Sequence, residues 1–89
     1  MGKNTEERKQ VAKAIWELHK LYISTGEADK PMTISLDDLA RMAEQSNEVT
    51  EQVLTEFIDE KIISTENRKI IILKKRKLKS VAGISLFGF

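Results

Sequence analysis

The densest chemistry in this sequence is cationic. Lys74, Lys75, Arg76, Lys77 and Lys79 stand almost side by side, with Arg68 and Lys69 a few residues upstream. A run of this kind either neutralises phosphates or lies as a solvated face. A second group is polar and uncharged or acidic: Ser46, Asn47, Glu48 and Gln52. An Asn or Gln amide donates and accepts in one plane, a carboxylate only accepts, and a Ser hydroxyl does both. Residues suited to catalysis do not converge. Asp37-Asp38 and Asp59-Glu60 are sequence neighbours in helical stretches, and adjacent helical side chains point about 100° apart. His19 is the sole histidine and there is no cysteine, which excludes thiolate and multi-histidine metal sites. No glycine-rich phosphate loop and no nucleophile motif is present. These residues predict a binding protein rather than an enzyme, with no cofactor and no metal.

Such residues need a scaffold, and 89 residues with 40% hydrophobic content allow one thin core. The longest interior apolar stretch, Ile70 to Leu73, is too short to span a bilayer, and no secretory signal opens the chain. A cytoplasmic protein without membrane contact is expected. The net charge of +1 conceals a segregation. Residues 32–60 carry Arg41 alone against eight acids, and residues 61–89 carry eight bases against Glu66 alone. Asymmetry of this kind points to a charged partner when the basic part gathers on one face.

The periodicity supplies the elements. Val11, Ile15, Leu18 and Tyr22 form one stripe of a helix running from about Thr5 to Ile23, with Thr5 as its cap. Ala12, Trp16, His19 and Ile23 form a second stripe, so this helix should touch two neighbours. His19 reads there as a packed structural residue. Gly26 and Pro31 punctuate a loop, and Met32 to Ile34 is extended. Ser35 caps a short helix with Leu36, Leu39, Ala40, Met42 and Ala43 on its buried face. Glu44-Gln45-Ser46 is a turn, and Ser46 or Asn47 caps a third helix. Val49, Val53, Leu54 and Phe57 cover its inner side; Asn47, Glu48, Glu51, Gln52, Thr55, Glu56 and Asp59 line its outer side. Two short helices across a tight turn are a helix-turn-helix pattern. Ile62 to Thr65 and Lys69 to Leu73 then form a hairpin turning at Asn67, with Met32 to Ile34 available as a third strand. A basic helix from Lys75 to Ala82 closes at Gly83.

The resulting prediction is an α+β winged helix-turn-helix: three main helices, a small antiparallel β wing and a short C-terminal helix. Residues 1–7 are taken as a flexible N-terminus, 8–83 as the domain and 84–89 as an apolar tail. The stretch Thr33-Ile-Ser-Leu-Asp-Asp-Leu-Ala-Arg-Met-Ala, then Ser46-Asn-Glu-Val-Thr, Val53-Leu and Glu60-Lys-Ile-Ile, resembles the C-terminal DNA-binding domain of the cyclic-AMP receptor protein and fumarate–nitrate reduction regulator family. The resemblance covers roughly residues 8 to 83.

That resemblance implies a transcription regulator's DNA-binding domain with double-stranded DNA as partner, its third helix in the major groove. Asn47 and Gln52 would each pair with an adenine, and Glu48 would accept from a cytosine amine. Ser46, Arg68, Lys69, Lys74, Lys75, Arg76 and Lys77 would hold phosphates. The family's Gly in the turn is Glu44 here, its wing Gly is Asn67, and the Asp before its last helix is Lys74. Two Arg positions of its reading helix are Asn47 and Gln52. Family members carry an effector domain that this chain lacks. The Trp16 stripe and the tail fit surfaces that such a domain or a second subunit would cover, unless both fold back onto this domain. The alternative function is a winged helix used for protein contact, favoured by the acidic central segment. DNA binding requires the cationic flanks, the lysine cluster from Lys74 above all, to lie on the same side as Asn47 to Gln52.

Overall fold

The apolar spacing of the first segment becomes α1, Thr5–Ser24, in which Val11, Ile15 and Leu18 are buried. The computed structural model describes residues 5–84. Thr5, expected as a cap, is already the first helical residue, so residues 5–7 form the first turn of α1. β1, Met32–Thr33, follows the loop, and its Thr33 amide donates to the Tyr22 hydroxyl of α1 at 2.8 Å. α2, Leu36–Ala43, and α3, Asn47–Asp59, form the helix-turn-helix. β2, Ile63–Glu66, and β3, Lys69–Ile72, make the wing, and α4, Lys75–Ala82, ends the described chain. The three strands form one antiparallel sheet in the order β1-β3-β2. Met32 sits opposite Ile70, and Ile63 opposite Ile72.

Helices α1, α2 and α3 close over this sheet around Phe57, Ile15, Leu39, Ile62 and Ile63, all essentially inaccessible to solvent. Thr50 is also fully buried, and its hydroxyl has no hydrogen-bond partner. Met42, placed by periodicity on the buried face of α2, is instead 42% exposed. A face read from five apolar positions in eight residues is only as narrow as its neighbours allow, and α1 and α3 cover Leu39, Ala40 and Ala43 first.

The second stripe of α1 finds its neighbour within the chain. α4 lies along it antiparallel, with Lys79 Nζ 5.3 Å from the centre of the Trp16 ring and Gly83 against the Lys9 side chain. Leu78 and Ala82 are the residues α4 buries. Of the two covers the sequence leaves open for Trp16, the chain's own fold-back supplies one, with Trp16 partly buried beneath α4. Ile84 packs partly buried against the core, and the remainder of the apolar tail lies outside the described residues. Leu21 and Ile23, at the end of α1, stay exposed.

All four helices stop in the same way, with a left-handed residue whose amide, and the next one, bond back to the last turn. In α1 and α4 that residue is Gly26 or Gly83, where positive φ costs little. In α2 and α3 it is Glu44 at φ 58° and Lys61 at φ 63°. A side chain in that region costs about 1 kcal/mol or more. The Ile62 carbonyl then accepts both the Leu73 and the Lys74 amides, at 2.8 and 3.1 Å, which fixes the start of α4 to the end of α3.

Candidate nucleic-acid interface

The outward surface of the helix-turn-helix is assembled from two helix N-termini. Ser35 Oγ accepts from the Asp38 amide and Ser46 Oγ from the Val49 amide, each at 3.1 Å. Each hydroxyl retains its own proton to donate outward. Ser46, Asn47, Glu48 and Gln52 are all exposed. The Asn47 side-chain amide donates to an Asp37 carboxylate oxygen, so it is turned toward the start of α2. Beside it, Arg41 pairs with Asp38 at 3.5 Å.

The wing completes this surface. Asn67 at φ 52° and Arg68 at φ 66° are the two central residues of the hairpin turn between Glu66 and Lys69. Two-residue turns with both residues at positive φ match the twist of paired strands, and the second of these positions ordinarily goes to Gly. Arg68 therefore occupies a strained site at the wing tip. It shares one depression with Ser35, Leu36 and Asp37 at the start of α2, and another with Glu51 and Leu54 of α3. A third concavity runs from Asp37 and Arg41 to Ser46 and Asn47. Asp37 joins the first to the third, and Ser35, Leu36 and Arg68 join the first to the second, so Arg68, Ser35, Ser46 and Asn47 border one surface.

The remaining cations are placed differently. Lys69 is exposed at the wing end of β3. β3 ends at Ile72, so Lys74 lies two residues beyond the opposite end of that strand. α4 packs on the flank of α1 that carries Trp16. Lys75 opens onto a separate cavity with His19, Asp29 and Lys30. Arg68 thus borders the start of α3, whereas Lys74, Lys75, Arg76 and Lys77, the cluster on which the same-side expectation rested, border none of the concavities there. Lys74 stands at the N-cap of α4 without a side-chain cap bond, and no acid occupies that helix's first turn.

Glu56 also departs from the sequence expectation. It does not join the outer face but accepts from Arg8 of α1 at 2.6 Å. Arg8 bonds Glu60 as well, at 2.9 Å, and lies 5.0 Å from the centre of the Phe57 ring. The Glu60 hydrogen bond above all holds the guanidinium charge more firmly than usual, against the opposing cost of burial. Sequence periodicity could not find Arg8, because its partners lie 48 and 52 residues away. The outer side of α3 keeps Glu48, Glu51 and Asp59 among its exposed residues, so it remains acidic.

His19 is 4% exposed, with its ring 5.0 Å from that of Trp16. Burial, and then nearby Lys75, push its pKa below the ordinary imidazole value. Among the described residues no cluster of potential metal ligands forms, and no helix is long and apolar enough to cross a membrane.

The sequence matches the model of the Crp-like helix-turn-helix domain over residues 9–81. No curated protein matches the chain. Among solved structures, the chain is similar to the catabolite activator protein of Thermus thermophilus, with 24% identity and a TM-score of 0.73. The match covers 91% of this chain and 36% of that one, so the chain spans about a third of that protein's length. That likeness carries the four helices and the three-stranded winged sheet; the family-model match, over most of the length, carries more, and the chain belongs to the Crp-like helix-turn-helix domain family.

Proposed function

We propose that this chain is the DNA-binding domain of a transcription regulator, with α3 entering the major groove and the wing lying on the adjacent phosphates. The observation that carries this reading is Arg68. A cation is kept at a turn position where Gly would be less strained, and it borders the same surface as the exposed caps of α2 and α3. Strain held at a surface position favours a functional reason for the residue. Ser46 and the amides at the start of α3 are suited to one phosphate, and Arg68 and Lys69 to another. Gln52 and Glu48 are the base-edge readers, and Asn47 joins them once its amide turns away from Asp37. Lys74, Lys75, Arg76 and Lys77 act at longer range, raising non-specific affinity without bordering α3. The role is binding, not catalysis, and effector control belongs to a partner domain.

The competing reading, a winged helix for protein contact, draws on the exposed Glu48, Glu51 and Asp59 of α3. NMR titration of the chain with a 20-base-pair duplex at low salt separates the two. DNA binding moves the amides of 46–52 and 66–69 together. A duplex that leaves Asn47, Gln52 and Arg68 unmoved refutes the proposal and favours protein contact.

A further inference from the structure

We propose that the cavity between the start of α4, His19 and the α1–β1 loop binds a phosphoryl group. The cavity holds about 220 Å³ and is bordered by His19, Asp29, Lys30, Met32, Ile70 and Lys75 among others. That is below the roughly 300 Å³ at which drug-sized ligands begin to fit, so the ligand is a small group. Three observations converge on it.

The first is the helix start. The amides of Lys75, Arg76 and Lys77 open α4 and have no acceptor within the helix, and Lys74 supplies no side-chain cap. The second is the charge around those amides. Four successive cations, Lys74 to Lys77, stand at the positive end of a helix dipole, with no acid in that first turn. Of the four, Lys75 lines the cavity, and an anion there offsets part of this repulsion. The third is His19, which is 96% buried by its 4% exposure, lines the cavity, and makes no hydrogen bond among the described residues. A neutral imidazole has one N–H to donate. Its ring lies 5.0 Å from that of Trp16.

The donors that border the cavity are therefore the His19 imidazole and Lys75, the residue that opens α4. A tetrahedral phosphoryl group offers three or more oxygens to such a set, where a planar carboxylate offers two. Asp29 on the wall opposes an anion, and Lys30 is shared with Glu27 at 3.4 Å, so Lys75 and its sequence neighbours supply the attraction. This site is separate from the α2–α3–wing surface and does not depend on that surface's reading.

The probe is inorganic phosphate, titrated into the 89-residue chain and followed by NMR against sodium chloride of equal ionic strength. Saturable shifts are expected at the amides of residues 75–77 and at the His19 ring, with a rise in the His19 pKa when phosphate is bound. Lys75→Glu, at an exposed position, should weaken the response at least tenfold, and His19→Phe several-fold. Shifts equal to those in chloride, or shifts that spare His19, overturn the proposal. A duplex arm then identifies the source. If DNA competes with phosphate for the His19 signals, the group is a backbone phosphate; if DNA moves only 46–52 and 66–69, it is a free phosphate ester.

Discussion

At the scale of single residues, charge and backbone geometry pull in different directions. Glu44 and Lys61 hold left-handed conformations at the ends of α2 and α3. Replacing Glu44 by Gly should stabilise the domain by about 1 kcal/mol, seen as a higher midpoint in thermal unfolding. Arg68→Gly should give a similar gain, but at the expense of duplex affinity, with the slope of log affinity against log salt falling by about one. A variant that is more stable and binds equally well would remove Arg68 from the interface. His19 adds a pH dependence. Its pKa is lowered in the folded chain, so the unfolded chain binds more protons as pH drops below about 6.5. Stability should therefore fall on acidification from that point until the folded-state value is passed. Melting curves between pH 7.5 and 5 should show a steeper loss for the native chain than for His19→Phe.

At the scale of elements, α3 is held at its C-terminal end by Arg8 rather than by apolar contact alone. Arg8→Ala removes two ion pairs and a ring contact from a site where the guanidinium is 14% exposed. The expected cost is about 2 kcal/mol, between the values for exposed and for buried pairs, measurable by urea denaturation. Much of the rest was legible without coordinates. Ser35 and Ser46 announce two helix starts because a hydroxyl before an acidic or apolar turn satisfies a free amide. Asn67 announces the hairpin because its side chain tolerates positive φ. Gly26 and Gly83 announce two helix ends. The misreadings have a common physical origin in tertiary geometry. Periodicity locates a stripe but not its cover, so it leaves open whether a partner or, as found, α4 lies against Trp16. It also assigned Glu56 to solvent, because nothing local to α3 points to an arginine on α1. The candidate site was legible in its polar residues, but its division into a wing surface and a separate α4 surface was not, since that depends on the length of β3.

At the scale of the whole molecule, the segregation of charge becomes spatial. The acidic segment is the helix-turn-helix itself, and the bases lie at the wing tip and along α4. The principal extents of 40 × 32 × 22 Å are comparable to one turn of duplex, about 34 Å. The sheet carries a further consequence. Its order leaves β1 and β2 as margins. One margin is two residues long, and the other ends in exposed Thr65 and Glu66. Neither offers another chain a long apolar row to zip onto, and an unsheltered row of that kind is where fibrils are seeded. Copies crowded together on a polymer can therefore meet repeatedly without their wings fusing into a shared ribbon.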